Sequence, residues 1–97
     1  MKYIVIRMRH KDVELEFPII FPDGLVHSIV AGSVIAGLKA FHLKDAEYNT
    51  VAAGDFSSTA IGCECSGVST SLGGVKSRGA VDDNLIQLND YLHGIVT

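Results

Sequence analysis

Apolar and polar positions alternate from the first residues. Along Lys2–Arg9, Tyr3, Val5 and Arg7 fall on one side and Ile4, Ile6 and Met8 on the other. Period-two spacing with apolar residues on both sides predicts a strand buried on two faces or at an interface. His10-Lys11-Asp12 is turn-like, and Val13, Leu15 and Phe17 then alternate with Glu14 and Glu16 as in a half-exposed strand. The short separation predicts an antiparallel hairpin. Pro18 and Pro22 bracket Ile19-Ile20-Phe21, so that segment is expected to leave the sheet or follow its edge.

Pro22-Asp23-Gly24 reads as a turn opening a helix in which Val26, Ile29, Val30, Val34 and Ile35 fall at helical spacing. Ala31, Gly32, Ser33 and Ala36 keep the rest of its surface small, and Gly37 is the expected stop. Leu38–Leu43 alternates again, Lys44–Asn49 reads as a turn, and Tyr48–Phe56 as a strand weakened by Gly54. Ala60–Ser66 is a further strand, which Val68–Leu72 continues or returns. The last helix is expected from about Ser77 to His93, with Leu85, Leu88, Leu92 and Ile95 on one stripe and Ile86 nearby. Asp82 and Asp83 suit its first turns, Ser77 its N-cap and Gly94 its end. The order β-β-α-β-β-β-α predicts one α+β domain over residues 1–97. About five mainly antiparallel strands would carry two helices on one face.

Composition adds limits. At 47% hydrophobic and 20% charged residues the chain is globular rather than disordered. A net charge of −3 and a pI near 5.7 argue against a general nucleic-acid binder, which needs a basic face. Lys2, Arg7, Arg9 and Lys11 crowd one end, whereas Asp82, Asp83 and Asp90 occupy the other without a Lys or Arg after Arg78. The apolar run Tyr3–Ile6 is too short for a signal peptide, and no stretch reaches membrane-spanning length. Cys63 and Cys65 are too close along a strand to bridge without strain. The expectation is a soluble protein of a reducing cytoplasm, without a membrane partner.

One tract hints at ligand chemistry. Of the 23 residues from Ser57 to Gly79, 13 are Ser, Thr or Gly, and the run ends in Lys76-Ser77-Arg78 just before the last helix. Hydroxyls, exposed backbone N–H groups, a helix start and two cations together make a candidate anion cradle. Its residues are Ser69, Thr70, Ser71, Gly73, Gly74, Lys76, Ser77 and Arg78. The alternative is a turn and a helix cap flanked by two exposed cations. The spacing around Lys76 is not that of a Walker loop. Cys63 and Cys65, with His27 or His42, lack the spacing of a structural metal site and read as small apolar residues. Cys63, His27 and Asp55 supply the ingredients of a nucleophilic site without a spacing that links them. No enzymatic activity and no cofactor are expected.

Phe21-Pro22-Asp23 before an apolar helix, then Ser71-Leu72-Gly73 and Lys76-Ser77-Arg78 before a terminal acidic-then-apolar helix, resembles small uncharacterised proteins of bacteriophages and prophages. Here Gly79-Ala80-Val81 stands where such proteins often continue Ser-Arg with Pro-Glu-Asp. The resemblance implies a non-catalytic protein acting in a host cytoplasm against host defence. One form is a homo-oligomeric sponge that holds a small anionic signalling nucleotide at a subunit interface, near Ser69–Arg78. The alternatives are an inhibitor that binds a host defence protein and a small virion or assembly component.

Overall fold

The computed structural model describes residues 1–41, 45–60 and 62–96, with side chains through residue 88 apart from that of residue 41. Strands β1 (Lys2–His10) and β2 (Val13–Phe21) form the expected hairpin, with His10 opposite Val13 and Lys11 at φ 55° in the tight connection. Helix α1 (His27–Phe41) crosses to β3 (Glu47–Thr59), which pairs antiparallel with β1, and β4 (Gly62–Ser66) pairs with β3. The resulting sheet has the order β2-β1-β3-β4. Two short strands, β5 (Val68–Ser69) and β6 (Val75–Lys76), form a separate hairpin before α2 (Ala80–Val96). The architecture is α+β with the expected element order, the strands after α1 being divided between the two sheets.

β1 is the centre of the molecule, and Tyr3, Ile4, Val5 and Ile6 are all fully buried. Alternation sends Ile4 and Ile6 to one face, where they meet Phe21, Ala31 and Ala53 beneath α1. Tyr3 and Val5 point to the other, where they meet Ala52, Cys65 and Ile86 beneath α2. The two helices therefore lie on opposite faces rather than sharing one. The cause is legible in β1 itself, since a strand apolar on both sides needs a cover on each.

Three further expectations are corrected or refined. Gly37 does not end the first helix, which runs on to Phe41. Leu38, Lys39 and Ala40 are strong helix formers, and their preference outweighs the roughly 1 kcal/mol cost of one interior glycine. The strand-like alternation of Leu38–Leu43 is thus helix as far as Phe41, and its remainder lies outside the described residues. Of the two alternatives for the Pro18–Pro22 segment the structure takes the edge: Pro18 sits within β2 on the sheet's outer strand, where a missing N–H breaks no ladder bond. Gly54 serves a close approach, because a Cβ there would strike the carbonyl oxygen of Ser66 on the neighbouring strand.

The turn into α1 forms as expected, with Leu25 N–H donating to Pro22 O at 3.1 Å. His27 is buried. Its ring meets Phe21 edge-on at 5.5 Å, and its Nε2–H donates to Gly54 O at 2.9 Å. His42, Leu43, Lys44 and Ile61, and the side chains of Phe41, Tyr91, Leu92, His93 and Ile95, lie outside the described residues. No described helix is long and apolar enough to cross a membrane.

Candidate functional site

The Ser/Thr/Gly tract folds as the β5–β6 hairpin and the entry to α2. Val68 pairs with Lys76 and Ser69 with Val75, and Ser77 N–H donates to Gly67 O at 2.9 Å to close the base. The loop turns on Gly73 and Gly74, at φ 73° and 94°, conformations that favour glycine. Their N–H groups are used inside the loop, donating to Thr70 O and Ser69 O.

The hydroxyls are largely spent on structure as well. Ser69 is buried, and its Oγ accepts from Leu72 N–H at 3.3 Å. The Oγ of Ser71 accepts from Ser28 N–H at 3.1 Å, capping one of the free donors at the start of α1. Ser77 Oγ donates to the Tyr3 hydroxyl oxygen at 2.7 Å, since the single phenol proton goes to Asp82, and accepts from Gly79 N–H at 3.0 Å. Ser77 is not the expected N-cap, since α2 begins at Ala80. Asp82, in the first turn, instead reaches back out of the helix to accept from Arg78 N–H at 2.8 Å. Thr70, Gly73, Gly74 and Lys76 are exposed, Ser77 and Arg78 half-buried.

Arg78 is tied into the protein. Its Nε donates to Asp82 Oδ1 at 2.8 Å and its Nη1 to Glu16 Oε1 at 2.9 Å. Glu16 also accepts from Arg7, at 2.9 Å from Nε and 2.7 Å from Nη2. Asp82 is wholly buried, and its second oxygen accepts from Tyr3 OH at 2.5 Å. A chain of charge thus runs Arg7–Glu16–Arg78–Asp82–Tyr3, joining the β1–β2 hairpin to the first turn of α2.

The electrostatics follow from this wiring. Burial alone would raise the Glu16 carboxyl, but hydrogen bonds from Arg7 and Arg78 more than offset it and hold it below its ordinary range. Burial likewise works against the Arg78 charge, and Glu16 and Asp82 override it, so the guanidinium keeps its proton more firmly than usual. Burial first, then the hydrogen bond to Asp82, pushes the Tyr3 phenol up. Among the described residues, Arg78 Nη2 is buried with no hydrogen-bond partner.

The cysteines share the α2 side of the sheet, as their spacing requires. Burial, then Asp83, pushes the Cys65 thiol up to about 12, which leaves negligible thiolate at neutral pH. Asp83 Oδ1 accepts from Cys65 N–H at 2.7 Å, so α2 also satisfies an edge donor of β4. Among the described residues, no three His, Cys, Asp or Glu side chains gather as a metal site would need, and no enclosed pocket opens.

Sequence reasoning missed Tyr3 and Glu16 as partners of the tract. Arg78 and Asp82 stand four apart at a helix start, a spacing that points to their ion pair. Nothing local marks Glu16, which reaches Arg78 only through the fold.

The apolar surface is the other candidate. α1 carries a single Lys, Arg, Asp or Glu, Lys39, in 15 residues. Its outer side leaves Ile29 65% exposed, with Gly32, Ser33, Ala36 and Ala40 exposed along the same side. Leu25 and Val26, each 46% exposed, extend that surface ahead of the first turn. No family model, curated protein or solved structure matches the chain.

Proposed function

We propose that the protein is a non-enzymatic binding protein whose working surface is the outer side of α1, offered to another protein. The observation that carries this reading is the run Leu25, Val26 and Ile29, large aliphatic side chains left in solvent beside an almost uncharged helix. Exposed apolar groups gathered in one place mark protein contact surfaces more often than solvated ones. Small residues along the rest of the helix let a partner approach its backbone closely. The partner that fits is an apolar helix face or groove, for which one lysine supplies little charge selection. The resemblance to small bacteriophage proteins makes a host defence protein the first partner to try.

The test compares partners retained from host lysate by the protein and by its Ile29→Glu variant. Ile29 is too exposed for this change to move stability by more than about 0.5 kcal/mol. A protein held by the parent and lost by the variant, at unchanged Tm, supports the reading. Equal retention by both contradicts it.

A second reading, capture of a small anionic nucleotide near Ser69–Arg78, is favoured by the orphan Arg78 Nη2 and the exposed Lys76. Against it, Arg78 already holds two carboxylates, and Ser69, Ser71 and Ser77 already hold partners in the fold. Titration calorimetry with a panel of cyclic and linear nucleotides separates the readings, since heat of binding appears only under the second.

A further inference from the structure

α2 is held to the sheet along one line and presents a second apolar line elsewhere. The inner line is Asp82, wholly buried, and Ile86, 1% exposed, with Asp83 beside them on Cys65 N–H. The other line is Val81, Leu85 and Leu88. Val81 is 57% exposed, Leu88 is 56% exposed, and Leu85 is half-buried at the margin of the core. At 3.6 residues per turn, this line lies roughly 100–160° around the helix from Ile86.

The steps from 81 to 85 to 88 are four and three. The sequence repeats them at Leu92 and Ile95, so five apolar residues hold strict heptad spacing. A helix packing only on its own sheet has no need of a second apolar line at period 3.5. That period is the signature of a helix-to-helix seam, each apolar knob entering a hole between partner side chains.

We infer that α2 pairs with α2 of a second copy of this chain through the seam begun by Val81, Leu85 and Leu88. The charge pattern selects the occupant. Residues 84, 89 and 91, which flank the seam in the heptad, are Asn, Asn and Tyr. Flanking charges are what specify a different helix as partner, and here they are missing. Asp82, the one acidic residue at a flanking position, is turned inward to Arg78 and Tyr3. Two copies therefore meet without like-charge repulsion, and an identical seam is complementary to itself across a two-fold axis. Docking on the sheet already holds the helix in shape, so pairing need not supply the cost of helix nucleation.

Sedimentation equilibrium over a range of concentrations tests this with the full chain and three variants: Leu88→Glu, Val81→Glu and Ile29→Glu. Both seam positions are more than half exposed, so unchanged Tm is expected of those variants at concentrations where the parent is monomeric. The parent and Ile29→Glu should pass from monomer to dimer with rising concentration. Each seam variant should raise the dimer dissociation constant about tenfold or more, the loss expected of a central interface residue. A parent that stays monomeric throughout overturns the inference, as does a dimer that survives both seam variants. A dimer lost only in Ile29→Glu overturns it too, by moving the contact to α1. Since that variant alone reports on α1, the partner-binding reading stands or falls separately.

Discussion

The two helices lie on opposite faces of one central strand and are held by different physics. Beneath α1 the contacts are mainly apolar: Ala31 is buried, and Val30, Val34 and Ile35 pack over Ile4, Ile6 and Ala53, with His27 on Gly54 O and Ser28 N–H on Ser71 Oγ as neutral hydrogen bonds at its start. Of α2's own described side chains, Ile86 is the one fully buried apolar group, set on Tyr3, Val5 and Ala52, with Leu85 at the margin. A buried carboxylate, two arginines, a glutamate and a tyrosine supply much of the remaining attachment. Apolar burial is non-directional and indifferent to pH, so α1 needs only area. Ionic attachment is directional and costly when halved, so α2 is fixed in place by a few residues whose loss is not shared out.

The contrast breaks most sharply at Asp82. Asp82→Ala leaves Arg78 and Tyr3 without their acceptor, and a loss of about 3–5 kcal/mol is expected from urea unfolding. Hydrogen exchange should show α2 amides losing protection before α1 amides do. Equal loss in both helices would mean that they rest on the same foundation after all.

Acid sharpens the same contrast with a smaller effect. The folded Glu16 carboxyl lies below its ordinary value of 4.5, so the unfolded chain binds more protons in acid. Its contribution is therefore present above about pH 4.5 and is lost as pH falls through the folded value. A pH series of Tm should show Glu16→Gln losing less stability than the parent below pH 4.5. Parallel curves would show that the two arginines do not hold this carboxylate in solution.

The sequence reading succeeded where a pattern is local. The two-sided alternation of Tyr3–Ile6 identified the central strand, and Pro22-Asp23-Gly24 marked the turn into α1. Asp82 and Asp83 stand in the first turn of α2, where acidic residues favour the helix dipole. It failed where a residue's partner is remote. Ser71, Ser77 and Arg78 read as donors to a ligand because free hydroxyls and a cation look alike whether they face solvent or protein. Their partners Ser28, Tyr3 and Glu16 come from far along the chain and carry no spacing that announces the contact. The α2 stripe shows the converse. Leu85 and Leu88 were readable as one line, but only the sheet decides that Ile86, beside that line, faces the core.

The central claim is that Arg78 works inside the fold, joining α2 to the β1–β2 hairpin. A double-mutant cycle on Glu16→Gln and Arg78→Gln, read by urea unfolding, tests it most directly. The account predicts that the two losses overlap, with a coupling energy of about 1 kcal/mol or more, as for residues in one ion-pair network. Losses that simply add, with no coupling beyond about 0.3 kcal/mol, would contradict it and return Arg78 to the surface as a free cation.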